Sequence, residues 1–286
     1  MTLPIKKTTC IFRRCLSVTF AFALATSALA CESPESISAE GLGGSHAVSS
    51  MEHSVLDVPA EGAPTLTIKS FEDTSGFNLK LDVSHFEFAP QHASTEHVLG
   101  EGHAHLFVDG KKVTRLYGPW YHVANLSEGE HVVRVELNSN NHSPLAIAGV
   151  PIEASMRVNI PAHVAHSPPE PLEISAVMVP QVKLEVFKDP KKGWNAQISL
   201  ENFVLTPKSV SKDHVAGEGH AHLSINGKKQ ARLYGEWFYL GSLPLVGTNI
   251  VRVSLTSNTH QELTSQGVAL DDEVEVLVTE ADSHTH

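Results

Sequence analysis

The chain has 286 residues, enough for one large domain or two ordinary ones, and a formal net charge of -11. That acidic balance argues against nucleic acid and anionic membrane surfaces as partners and favours cations. Histidine is abundant at 18 residues while Met is scarce at 4 and Cys at 3, which points toward metals that accept imidazole rather than thiolate or thioether.

Residues 1–30 read as an export signal. Lys6, Lys7, Arg13 and Arg14 give a basic start, and Leu16 to Leu24 an apolar run too short to span a bilayer. Ala28-Leu29-Ala30 is a small-x-small cleavage site. No other stretch is long and apolar enough for a transmembrane helix, so an exported, periplasmic protein is expected. Cys31 follows the cleavage site and is a candidate lipid-anchor position, which would make the chain an outer-membrane lipoprotein. The sequence around it fits a signal peptidase site better than a lipobox, and both outcomes stay open. Cys10 and Cys15 fall in the removed segment, so no internal disulfide is expected.

Residues 31–62, rich in Ser, Glu, Gly and Ala without periodicity, read as a flexible tether. From residue 63 the pattern is β. Asn78 to Val83 and Val133 to Leu137 alternate apolar and polar. Asp109-Gly110 and Asn226-Gly227 are two-residue hairpin signals. Residues 161–179 open with Pro161, Pro168, Pro169 and Pro171, which cannot run through a sheet interior, and read as a linker. Residues 63–160 and 180–279 resemble each other along their length, and 280–286 form a tail. The predicted fold is all-β: two tandem immunoglobulin-like β-sandwich domains of about seven strands each, born of an internal duplication.

The most informative repeat is His97-Val98-Leu99-Gly100-Glu101-Gly102-His103-Ala104-His105-Leu106, which returns as His214-Val215-Ala216-Gly217-Glu218-Gly219-His220-Ala221-His222-Leu223. Side chains alternate along a strand, so His103 and His105 share a face, about 6.5 Å apart at the Cα. Two imidazoles at that spacing can converge on one ion. The glycines suggest a bulge or a close backbone approach. A lone pair of this kind is ordinarily solvated or hydrogen-bonded. Here His97 is matched by His214 and His142 by His260, while His85, His92, His122 and His131 are replaced by Asn202, Ser209, Tyr239 and Asn249. The predicted sites are therefore His97, His103, His105 and His142, and His214, His220, His222 and His260. Glu101 and Glu218 are ligands or acceptors that orient an imidazole. Cu(II) is preferred over Zn(II) from the usual affinity order of divalent ions.

Arg115, Tyr117 and Trp120 recur as Arg232, Tyr234 and Trp237. The simplest reading is structural, with Trp in the sandwich core and Tyr with Arg tying a corner. A flush hairpin at Asp109-Gly110 pairs Ala104 with Arg115 and puts Arg115 opposite the histidines; only a bulge would bring it to their face. His163, His166, His284 and His286 are at most auxiliary ligands.

Gly-Glu-Gly-His-Ala-His-Leu followed by a hairpin resembles the Gly-x-Gly-His-x-His segment of small exported bacterial domains, a resemblance that covers the middle of each half and implies copper binding. His103-x-His105 and His220-x-His222 also resemble the copper pair of copper-zinc superoxide dismutase, but this chain lacks that family's disulfide and dense zinc loop. α-Carbonic anhydrase is similar only in using His-x-His plus a third His. The leading expectation is an exported protein that buffers, delivers or senses Cu(II) or Zn(II). A metalloenzyme with an open coordination position, and a surface scaffold or adhesin with structural histidines, are the alternatives. No Ser-His-Asp or Cys-His arrangement stands out.

Overall fold

In the computed structural model, residues 54–73, 75–162, 168–175 and 177–283 are described. The expected export signal, most of the tether with Cys31, and His163, His166, His284 and His286 lie outside the described residues.

Each repeat folds as two antiparallel layers over one apolar core. In the first, Thr65–Asp73, Gly76–Ser84 and Trp120–Ala124 form one layer in that order. The facing layer runs Glu153–Ile160, Gly129–Asn138 and Glu101–Val108, with Lys111–Leu116 on the outer side of Glu101–Val108. The second repeat repeats this with Gln181–Lys188, Trp194–Glu201 and Trp237–Gly241 facing Asp271–Val278, Gly247–Ser257, Glu218–Ile225 and Lys228–Leu233. Two layers with this strand division make each repeat an immunoglobulin-like sandwich, as the alternation predicts.

The core follows from the same alternation. Ala104, Leu106 and Val108 turn inward onto Leu79, Leu81, Val133, Val135 and Leu137, and Ala221, Leu223 and Ile225 onto Ile198, Val251, Val253 and Leu255. The odd positions of the same strands, His103 and His105, therefore emerge on the other face. Asp109-Gly110 and Asn226-Gly227 take the positive φ that their tight turns demand. His131, dropped as a ligand, donates from Nδ1 to Asp109 across that turn at 2.6 Å. Asn226 and Asn249 make the matching bond at 3.0 Å, which explains the substitution.

Two short strands lie where connecting segments were expected. Leu56–Asp57, within the expected tether, pairs in parallel with Leu145–Ile147. Leu172–Glu173, within the linker, pairs in the same way with Leu263–Ser265. Each repeat thus begins seven or eight residues before its alternation becomes legible, because a two-residue strand carries no period.

The repeats pack together through the Arg-x-Tyr segments, and the contact is reciprocal. Arg115 pairs with Asp189 at 2.7 Å, and Arg232 with Asp73 at 2.8 Å. Tyr117 donates to Asn195 at 2.9 Å, and Tyr234 to Asn78 at 2.8 Å. Tyr121 stacks on Phe238, its own counterpart, with ring centres 6.0 Å apart and planes 10° from parallel. This is the geometry of an isologous dimer joined in one chain. It corrects the corner expected within each domain: Tyr and Arg reach the neighbouring repeat instead. Trp120 and Trp237 are half-buried and lie 5.3 Å from Phe71 and Phe187 rather than filling the core.

Candidate metal centre

The glycines before the histidines are explained by backbone geometry. Gly100 and Gly217 sit at φ of +82° and +77°, which an L side chain resists. A Cβ on Gly102 would stand 2.0 Å from the Asn138 carbonyl oxygen, and one on Gly219 2.0 Å from that of Thr256. The close approach expected from the sequence is therefore real, and it packs the histidine strand tightly against the strand that leads to His142 or His260.

That neighbouring strand ends in a tight turn. His142 donates its amide to Ser139 at 3.0 Å, and His260 to Ser257 at 3.0 Å. Both histidines hold left-handed backbone, at φ of 73° and 66°. A non-glycine residue gives up about 1–2 kcal/mol there, so the same uncommon conformation in both repeats points to a use for the side chain. The turn folds each ring back over the paired histidines.

In the first repeat the His103 and His105 Nε2 atoms are 3.1 Å apart, and the His142 ring centre lies 4.6 Å from that of His103. In the second, His220 and His222 Nε2 are 3.0 Å apart and the His260 ring centre is 5.2 Å from that of His220. One nitrogen from each member of either triad lies within 4.8 Å of the others. Two nitrogens bound to one ion at about 2.0–2.1 Å and at about 90–110° stand roughly 2.8–3.4 Å apart, so both pairs already have the spacing of co-ligands.

The rings are held neutral. His103 and His220 are fully buried, and burial pushes both well below the ordinary histidine value. Burial, with the cost of placing a second proton beside the His103 ring next, does the same to His105. Burial and then Lys229 lower His222 to about 2. His142 falls to about 3 through burial and Arg115, and His260 to about 4 through burial and Arg232. A neutral imidazole keeps a lone pair, as metal ligation requires. The Nδ1 atoms of His103 and His220 are buried without a hydrogen-bond partner.

His142 is oriented from the other repeat. The Ser94 hydroxyl lies 2.9 Å from Asp189 and 2.8 Å from His142 Nε2. A carboxylate only accepts, so Ser94 gives its single proton to Asp189 and receives one from Nε2. The lone pair of His142 is then on Nδ1. A metal-binding histidine is commonly fixed in this way by a carboxylate, here relayed by a hydroxyl. Ser211 makes the same contact with His260 at 2.8 Å. Replacing Ser94 by Ala is expected to weaken metal binding at the first repeat about 10–100-fold while leaving the second repeat unchanged. Stepwise titration of one metal, with Ser211→Ala as the mirror experiment, measures it; equal loss at both sites would contradict the relay.

Two of the expected ligands in each repeat stay outside these triads. His97 precedes the strand, which starts at Glu101, and is half-buried; His214 is exposed. Neither joins the groups of convergent ligand atoms. Glu101 shares the histidine face but accepts from His92 Nδ1 at 2.6 Å. Glu218 begins the matching strand and is half-buried.

Arg115 corrects the flush hairpin. A bulge at Val113 shifts the register so that His105, not Ala104, faces Arg115, and one at Gln230 sets His222 opposite Arg232. The guanidinium therefore lies on the histidine face. Lys112 and Lys229 are there too, each Nζ donating to the second imidazole, His105 or His222, at 3.0 Å. Ser94, Lys112 and Asp189, which Ser211, Lys229 and Asp73 repeat, carry no ligand signature in the sequence, because serine, lysine and a lone aspartate at such spacings are ordinary surface residues.

No family model matches this sequence, and no curated protein matches it. Among solved structures the chain is similar to the central fibronectin-III array of RIM-binding protein, at 11% identity over 76% of this chain and 69% of that one, with a TM-score of 0.22. It is also similar to the fibronectin(III)-like modules of CbhA from Clostridium thermocellum, at 11% identity over 78% of this chain and 98% of that one, with a TM-score of 0.24.

Proposed function

We propose that this chain is an exported metal-binding protein that holds two divalent ions, one per repeat, and buffers or delivers them. His103, His105 and His142 hold the first, and His220, His222 and His260 the second. The observation that carries the reading is the Nε2–Nε2 spacing of 3.1 and 3.0 Å among neutral rings that are buried, or half-buried in the case of His222. Two imidazole edges facing each other so closely in a dry site need a proton or an ion between them. Three imidazoles suit Cu(II) or Zn(II), and copper is preferred on intrinsic affinity. A binding role is favoured over zinc-assisted hydrolysis because the carboxylates on the first histidine face are engaged, Glu101 by His92 and Glu136 by Arg134.

Metal analysis of protein purified without an affinity tag is expected to give about two equivalents per chain, falling to about one in His103→Ala and to none when His220→Ala is added. Full-length protein that folds yet takes up neither Cu(II) nor Zn(II) would leave a scaffold with structural histidines as the better description.

A further inference from the structure

We propose that each site takes up its ion together with a small anion, held between the metal and the ammonium of Lys112 in the first repeat and of Lys229 in the second. The inference rests on the metal-binding reading above and adds a co-ligand to it.

The argument is one of charge and coordination number. The three imidazoles of each triad are neutral and supply three ligands, so a tetrahedral or tetragonal ion has a position left. The ion brings two positive charges to rings of which His103 and His220 are wholly buried. The exposed ammonium of Lys112 or Lys229 adds another; its 3.0 Å hydrogen bond to the ligand nitrogen itself is displaced when the ion binds, which frees the ammonium for an anion. Arg115 and Arg232 on these faces are already matched by buried carboxylates, Asp189 and Asp73, and Arg134 and Arg252 by Glu136 with Glu153 and by Glu262 with Asp271. Glu101 is committed to His92. The two charges of an ion among these rings are costly unless something negative joins them. A small anion bound to the metal and hydrogen-bonded to the lysine fills the open position and lowers the local charge in one step.

Two further observations fit. The lysine occupies the same place in both repeats, three residues before the arginine of the Arg-x-Tyr segment, although much of the surrounding hairpin surface differs. Beside the second site, a cavity of about 750 Å³ between the repeats is lined by Lys229, Arg232, Ser75, His122 and Asp73, the last paired with Arg232. Arg232 Nε is buried there without a partner. The cavity reaches Lys229 and is wide enough to admit a small anion to it. The class of ligand is a small mono- or divalent anion with one metal-binding atom and one hydrogen-bond acceptor, such as bicarbonate.

The test is titration of the full chain with Cu(II) in a non-coordinating, halide-free buffer, alone and with bicarbonate or azide. Wild type is expected to bind copper about tenfold more tightly with either anion, and azide to produce a charge-transfer band on the bound copper. Lys112→Met combined with Lys229→Met is expected to keep two copper ions per chain and lose the anion dependence. Tight copper binding indifferent to both anions would overturn the proposal while leaving the metal sites intact. So would loss of copper from the double variant with no anion effect in wild type, which would make the lysines direct ligands. Absence of copper binding by wild type under every condition would instead overturn the metal-binding reading itself.

Discussion

Taking the metal-free protein from pH 7 to pH 5.5 is expected to cost about 5 kcal/mol of folding stability. That figure counts the four most deeply buried neutral rings, His103, His105, His122 and His220, each at most 5% exposed; the half-buried His142, His222 and His260 act in the same direction. In the unfolded chain each takes up a proton near pH 6.5; in the folded chain burial prevents it. Below that pH the unfolded state binds more protons, so the contribution is complete above about 6.5 and lost as pH falls. For His122 the loss continues down to its folded value of about 3. Each ring accounts for about 1.3 kcal/mol over this interval, and whole domains are stable by only about 5–15 kcal/mol. His131, raised by its bond to Asp109, works in the opposite direction and offsets part of the loss. Asp73 and Asp189, both lowered to about 2, stay ionised throughout and contribute no change. Urea unfolding across this pH range, with and without Zn(II), measures the effect. A flat profile for the metal-free protein would show that the rings are protonated or exposed when folded, and Zn(II) is expected to flatten the slope because it competes with the proton.

Replacing Asp189 by Ala is expected to cost about 3–5 kcal/mol. Arg115 is 7% exposed and the Asp189 side chain is fully buried. Burial raises the Asp189 pKa, but the backbone amide of Lys192 and the charge of Arg115 outweigh it and hold the carboxylate ionised. Removing it strands a guanidinium between the repeats. The exposed pair Lys183–Glu185, by contrast, is worth at most about 1 kcal/mol. The double change Arg115→Met with Asp189→Leu is expected to recover most of the loss, because two apolar groups leave no charge uncompensated. Urea denaturation of the two variants gives both numbers. A single-variant loss below about 1 kcal/mol would mean that the repeats do not depend on this pair for docking. The same substitution removes the acceptor for Ser94, so metal affinity at the first repeat is expected to fall with it.

These expectations divide according to how far apart in the chain their causes lie. The paired histidines were legible because a strand places residues two apart on one face, and His103-x-His105 needs nothing beyond that rule. His142 was legible only by comparing the halves, since its turn reaches the pair from some forty residues away. His97 was retained in the same comparison, yet the strand begins after it and its ring stays outside the triad. Retention records that a residue is kept, whereas convergence depends on where the backbone turns.

What the sequence determined by itself was local and periodic: the β alternation, the Asp109-Gly110 and Asn226-Gly227 turns, the duplication and the histidine pairs. Each follows from sterics or side-chain direction within a few residues. What only the tertiary structure decided was register and docking. One bulge residue, Val113 or Gln230, reverses the face of every residue beyond it, which moved Arg115 and Arg232 to the histidines. The packing of one repeat on the other then brought Asp189 to Arg115 and Ser94 across a linker that the alternation cannot see. A bulge and an interface are both settled by the total of long-range contacts, and no short window of sequence contains that total.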